Sequence, residues 1–168
     1  EEHIQICSIP ASPFGEQVRA EYLSRKFSEL RLTEVEIDEE GNCLGLLRGS
    51  SLSPLMVVSA HLDTVFSKDT NFNVVRHENK LFAPGIADDG CGLAALIALA
   101  QAIQAEQIPL EGSILFVGTV GEEGEGRRVG GALGGVEDAG AGGGMRVLGV
   151  LHHAVELTGR YPAVVGLD

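Results

Sequence analysis

Four short stretches of this sequence carry side chains that bind cations or move protons. His61-Leu62-Asp63 follows the apolar run Leu55–Ala60. Asp88-Asp89 stands just before an Ala/Leu-rich stretch. Glu122-Glu123 follows the run Ser113–Val120, and Asp168 follows Ala163–Leu167. Imidazole and carboxylate are the ligand types that suit zinc and related divalent ions. Two adjacent carboxylates at the end of an apolar strand are costly without a cation or a raised pKa. In such a pair one carboxylate can bind metal while the other takes a proton from metal-bound water. Period two puts His61 and Asp63 on the same side of an extended segment. Asp63 is thereby placed to hold the second ring nitrogen of His61, as a ligating histidine requires.

Each stretch taken alone has a plainer reading. His-x-Asp also describes a structural histidine at a strand end, and Glu122-Glu123, with Glu125 close behind, also describes a solvated acidic loop. Asp88-Asp89-Gly90 also describes a turn whose Asx side chain caps a helix starting near Cys91. An EF-hand is excluded because the D-x-D-x-D-G spacing and closing Glu are missing. A phosphate loop at 121–126 is excluded because no Gly-Lys-Ser/Thr ending follows and its carboxylates would repel phosphate.

The elements that must position these residues follow from periodicity. Ser12-Pro13 reads as a helix start, with Ser12 as N-cap and Pro13 at the first helical position. Val18, Tyr22, Leu23, Phe27 and Leu30 then give one apolar face, with Arg19, Glu21, Arg25, Lys26 and Glu29 between them. A strand at 34–37, a turn at Glu40-Gly41-Asn42 and a return strand Cys43–Leu47 come next. Leu55–Ala60 and Ser113–Val120 read as buried strands, and Ala163–Leu167 as a third. The segment 67–82 reads as a long connection with a short strand at Lys80–Phe82. Cys91–Ala105, apolar on nearly every side, reads as a helix buried against a sheet. Strands alternating with helices predict an α/β fold: a three-layer α/β/α sandwich around a mostly parallel, mixed central sheet, incomplete at the C-terminus. Three strands then end in candidate ligands, which is where open α/β sheets bind their substrates.

Composition narrows the classes. The 168 residues suit one domain, 1–168, and 44% hydrophobic residues exclude a disordered chain. The formal charge of −12 disfavours nucleic acid. The longest apolar stretch, Leu93–Ala100, is too short to span a bilayer. Cys7, Cys43 and Cys91 are scattered and odd in number, which speaks against a disulfide framework and for a reducing cytoplasm. Twelve of the 29 residues in 121–149 are Gly, so the atypical segment 126–144 is expected to be loosely packed.

Taken in order, Ser59-Ala60-His61-Leu62-Asp63-Thr64-Val65-Phe66, Pro84-Gly85-Ile86-Ala87-Asp88-Asp89-Gly90-Cys91-Gly92 and Gly121-Glu122-Glu123-Gly124 resemble three motifs of one family. It is the di-zinc metallopeptidase family of peptidase T, aminoacylase, acetylornithine deacetylase, succinyl-diaminopimelate desuccinylase and carboxypeptidase G. The resemblance covers roughly residues 4–125 and resumes at 161–168. It implies two divalent metal ions, zinc first, with cobalt or manganese as substitutes. It implies His61 and Asp168 on the first metal, Asp88 bridging both, Glu123 on the second, Glu122 as general base and Asp63 orienting His61. The implied reaction is amide hydrolysis in a small peptide or N-acyl amino acid through a metal-bridging hydroxide. A full-length relative would be a homodimer. Gly90 departs from the Lys of many relatives, and the interval from Glu123 to Asp168 is longer and richer in Gly. The family's lid or dimerisation domain and its C-terminal metal-binding His are not matched, and His152 and His153 are not expected to replace that His. The 168 residues alone are therefore expected to hold one metal better than two and to be inactive. The alternative is a truncated, catalytically incompetent metal-binding fragment.

Overall fold

The computed structural model describes residues 1–123 and 163–166. In chain order the elements are α1 (Glu2–Cys7), α2 (Gln17–Glu29), β1 (Thr33–Ile37), β2 (Cys43–Leu47), β3 (Leu55–His61), β4 (Val75–His77), β5 (Lys80–Phe82), α3 (Gly90–Ala105), β6 (Ser113–Thr119) and β7 (Ala163–Gly166). Five strands form one mixed sheet in the order β1-β2-β6-β3-β7, and β4-β5 is a separate antiparallel hairpin. β1, β2 and β6 pair antiparallel. Parallel pairing is confined to β6, β3 and β7. An α/β fold with a mixed central sheet is thus observed, and its parallel part is the part that ends in the candidate ligands.

Alternation along β3 and β6 builds two apolar layers. On one face Val58, Ala60, Ile114 and Phe116 meet Leu23 and Phe27 of α2, Leu93, Leu96 and Ile97 of α3, and Ile6 of α1. On the other, Leu55, Val57, Leu115 and Val117 cluster with Leu44 and Leu46. All three described helices lie on the first face. α2 comes so close that Gly45 and Gly118 are needed beneath it. A Cβ at Gly45 would stand 2.7 Å from Phe27 Cδ2, and one at Gly118 would stand 2.6 Å from Leu23 Cδ2.

Three local expectations are corrected. The second helix starts at Gln17 with Glu16 in the N-cap position, not at Ser12-Pro13. The Ser12 carbonyl instead accepts the Gly15 N–H in a tight turn, and Phe14 adopts a φ of 65°, which no helix can contain. The buried stripe of that helix is also rotated: Val18 is 60% exposed, whereas Arg19 is 1% exposed. Third, α3 buries one face only, through Leu93, Leu96, Ile97, Ala100 and Ile103, and turns Cys91, Ala95, Ala98 and Leu99 outward. Small side chains make that outward face inexpensive to hydrate, so apolar composition misled the reading. The expectations on 126–144, His152, His153 and Asp168 lie outside the described residues. No described helix is long and apolar enough to cross a membrane.

Candidate functional site

Parallel registry between β3 and β6 sets His61 opposite Thr119. The Leu62 N–H then donates to the Thr119 carbonyl at 2.6 Å. Both chains leave the sheet side by side, so the residues after His61 and those after Thr119 meet. α3 aims its N-terminus at the same place, with Asp89 as N-cap accepting from Gly92 N at 2.9 Å. The same carboxylate accepts the His61 backbone N–H at 3.0 Å. The plain capping role weighed for the Asp pair therefore belongs to Asp89, and Asp88 is left to face the site.

His61 is buried. Its Nε2 lies 2.8 Å from Asp88 Oδ1. Its Nδ1 lies 3.0 Å from the Asp63 carbonyl and 3.5 Å from the Asp63 carboxylate. A carbonyl can only accept, so Nδ1 carries hydrogen and Nε2 is the nitrogen presented to Asp88. Asp63 is fully buried, and its carboxylate mainly serves the neighbouring loop, taking the Glu122 N–H at 3.1 Å and the Glu123 N–H at 2.8 Å. Ring orientation thus comes from the main chain of Asp63 as much as from its side chain.

The electrostatics describe a site short of positive charge. Burial alone would push His61 down, but hydrogen bonds to Asp63 and Asp88 outweigh it and raise its pKa to about 9. Burial would raise Asp63, yet His61 and the two loop N–H groups hold it below the usual carboxylate range. Glu123 is raised by burial and by the charges of Asp88 and Glu122. Single ligand atoms of His61, Glu122 and Glu123 all lie within 4.8 Å of one another. Tetrahedral zinc places its donors at about 2.0–2.2 Å, so small side-chain rotations would close this group around an ion. A divalent cation would replace the proton on Nε2 and relieve the repulsion among Asp88, Glu122 and Glu123. The donor set fits a metal on those two counts.

Of the residues singled out from sequence, His61, Asp63, Asp88, Glu122 and Glu123 converge here. Asp168 lies outside the described residues, two positions after Gly166. Sequence reading missed Glu16 and Arg19, both buried beneath the site. The missed signal was spacing: Arg19 stands three, four and eight positions before Tyr22, Leu23 and Phe27, squarely on the apolar stripe.

The model of peptidase family M20/M25/M40 matches residues 57–159. No curated protein matches the chain. Among solved structures, a tripeptidase from Staphylococcus aureus is similar at 30% identity and a TM-score of 0.61, over 73% of this chain and 35% of that one. Aminopeptidase PepT from Bacillus cereus is similar at 25% identity and a TM-score of 0.63, over 73% of this chain and 36% of that one. LapB from Legionella pneumophila shares the fold, with a TM-score of 0.64 over 99% of this chain and 41% of that one. The chain spans about a third of the length of the first two.

Proposed function

The chain belongs to peptidase family M20/M25/M40, and from that premise we propose that it carries the metal-binding core of a hydrolase that cleaves an amide bond in a small peptide or N-acyl amino acid. The observation that carries this reading is the convergence of His61, Glu122 and Glu123 at the ends of two parallel strands, with Asp88, just before α3, against the His61 ring. The tripeptidase and aminopeptidase among the similar structures favour a short peptide over an acylated amino acid. In this reading residues 1–168 form part of one catalytic domain, with the Gly-rich 126–144 inserted in it. The free cysteines suit a reducing cytoplasm.

His61, Asp88 and Glu123 would hold two divalent cations, zinc or else cobalt or manganese, with Asp88 shared and Asp168 added to the His61 side. Such cations supply Lewis acidity for the scissile carbonyl and acidify water. The rest is done by this chain. Glu122 sits beside Glu123 on a loop whose N–H groups are pinned by Asp63, so its carboxylate is held within reach of the ligand atoms; in this reading it serves as base and Asp88 takes its place as ligand. Glu122 would take the proton of the attacking water and return it to the leaving amine. Asp63, by holding both the His61 segment and this loop, fixes the distance between base and ligands.

The test is tripeptide and acyl-amino-acid hydrolysis by the protein stripped of metal and reloaded with zinc, cobalt or manganese. Residues 1–168 alone are expected to turn over poorly or not at all; whatever hydrolysis they show should require reloading, and Glu122→Gln should lower its kcat by about 10²–10⁴ with KM little changed. Hydrolysis that persists in chelator, or an unimpaired Glu122→Gln, would overturn the reading. Metal uptake without turnover would favour the second reading, a chain that binds metal without hydrolysing these substrates.

A further inference from the structure

Two buried charges at the start of α2 lie beneath the site and take no part in the chemistry above. Arg19 is 1% exposed, and its Nη1 donates to the Leu62 carbonyl at 2.7 Å. Its Nη2 donates to the Ile9 carbonyl. Leu62 is the residue between His61 and Asp63. Glu16 is 4% exposed, and its Oε1 accepts the Gly121 N–H at 3.1 Å as well as the Phe14 N–H at 3.0 Å. Gly121 is the residue before Glu122. The next two N–H groups, those of Glu122 and Glu123, end on Asp63. Three consecutive amides of one loop are therefore held by two buried carboxylates, Glu16 and Asp63. The Arg19 guanidinium is close enough to feel the charge of both.

A buried guanidinium is strongly unfavourable unless its surroundings compensate it. Here the compensation is spent on the main chain of the His61 segment and on the carboxylates that grip the Glu122–Glu123 loop. That grip has something to oppose. Asp88, Glu122 and Glu123 repel one another when no cation lies between them, and the loop would relax outward. We propose that Arg19 and Glu16 are positioning residues that hold the His61 strand end and the Glu122–Glu123 loop at ligand spacing before any metal arrives. This rests on the reading of those residues as a metal centre. Arg19 fixes the strand end through Leu62 and lends its field to Asp63, and Glu16 anchors the loop at Gly121. α2 thus serves as the backing plate of the site.

Amide hydrogen exchange on the metal-free chain tests it, followed residue by residue by NMR. Arg19→Met should speed exchange at Glu122 and Glu123 by about tenfold or more, and Glu16→Ala should do so at Gly121. Leu96 and Ile97 in α3 should keep parental protection in both. Glu16→Gln keeps an acceptor oxygen and should restore Gly121, whereas Glu16→Met, which fills the same space without an acceptor, should not. Unchanged exchange at 121–123 would overturn the proposal, and so would equal acceleration throughout α3 and β6. If Arg19→Met does not fold, the Glu16→Met and Glu16→Gln pair decides. Cobalt titration of the same samples keeps the two claims apart. A parent chain that takes up no cobalt removes the metal reading, while the exchange pattern still decides the positioning. If the parent binds, Arg19→Met should bind about 10–100-fold more weakly, and equal binding would count against the proposal.

Discussion

Raising the pH over the metal-free protein should destabilise it through a single side chain. His61 is held at about 9 against an ordinary 6.5 because Asp63 and Asp88 outweigh its burial. A raised pKa in the folded state means that protonation favours folding. The contribution is fully present below about 6.5 and is lost as pH climbs to about 9. At ~1.4 kcal/mol per pH unit the loss is at most about 3 kcal/mol, and less to the extent that solvent screens Asp88, whose side chain is 74% exposed. Urea unfolding of the parent and of His61→Gln, each from pH 6 to 9, isolates the effect as a difference. The buried thiols Cys7 and Cys43, pushed up to about 11 and about 12 by burial, are common to both proteins and cancel. The parent should lose its advantage steadily across that window. A difference that stays flat, or grows with pH, would refute the assignment of a proton to the Nε2 that faces Asp88. Saturating zinc should invert the trend, because the ion must displace that proton and binds better as pH rises.

Two further substitutions probe the frame around the site. Asp89→Ala removes both the α3 cap and the acceptor of the buried His61 N–H; a loss of about 2–4 kcal/mol is expected by chemical denaturation, and a loss well under 1 kcal/mol would show that water replaces the carboxylate. Gly118→Ala drives a Cβ to 2.6 Å from Leu23 Cδ2 and should cost about 1–3 kcal/mol. Much of that should return in a Leu23→Ala background, and a fully additive pair would contradict the close approach of α2 to β6.

Legibility from sequence followed how local the deciding physics was. β2 was read to the residue because Gly41 takes a φ of 97° in the turn before it and an apolar run follows. β3 and α3 were each read to within one residue, because a turn signal and an apolar run bracket them. The convergence of His61 with Glu122-Glu123 was foreseeable because both follow neighbouring parallel strands of an α/β sheet; Asp88 joins them from the N-terminus of α3. The start of α2 was not foreseeable, because the inward side chain of Glu16 answers to Gly121, more than a hundred positions away. Arg19 was misread for the same reason. Its charge said surface, while its partners, the carbonyls of Leu62 and Ile9, were invisible to any local window. The division of labour within Asp88-Asp89 likewise depends on the His61 N–H, which only the packed fold supplies.

Metal binding at His61 is the claim on which the rest depends. Calorimetric titration of the metal-free protein with zinc, repeated with His61→Ala and Glu123→Gln, tests it most directly. The parent should bind with release of the His61 proton, readable from the heat in buffers of different ionisation enthalpy. His61→Ala should weaken binding by on the order of 100-fold or abolish it, since His61 is the one imidazole that the described residues bring to the ligand group. Unchanged zinc affinity in His61→Ala, or no zinc uptake by the folded parent, would contradict it.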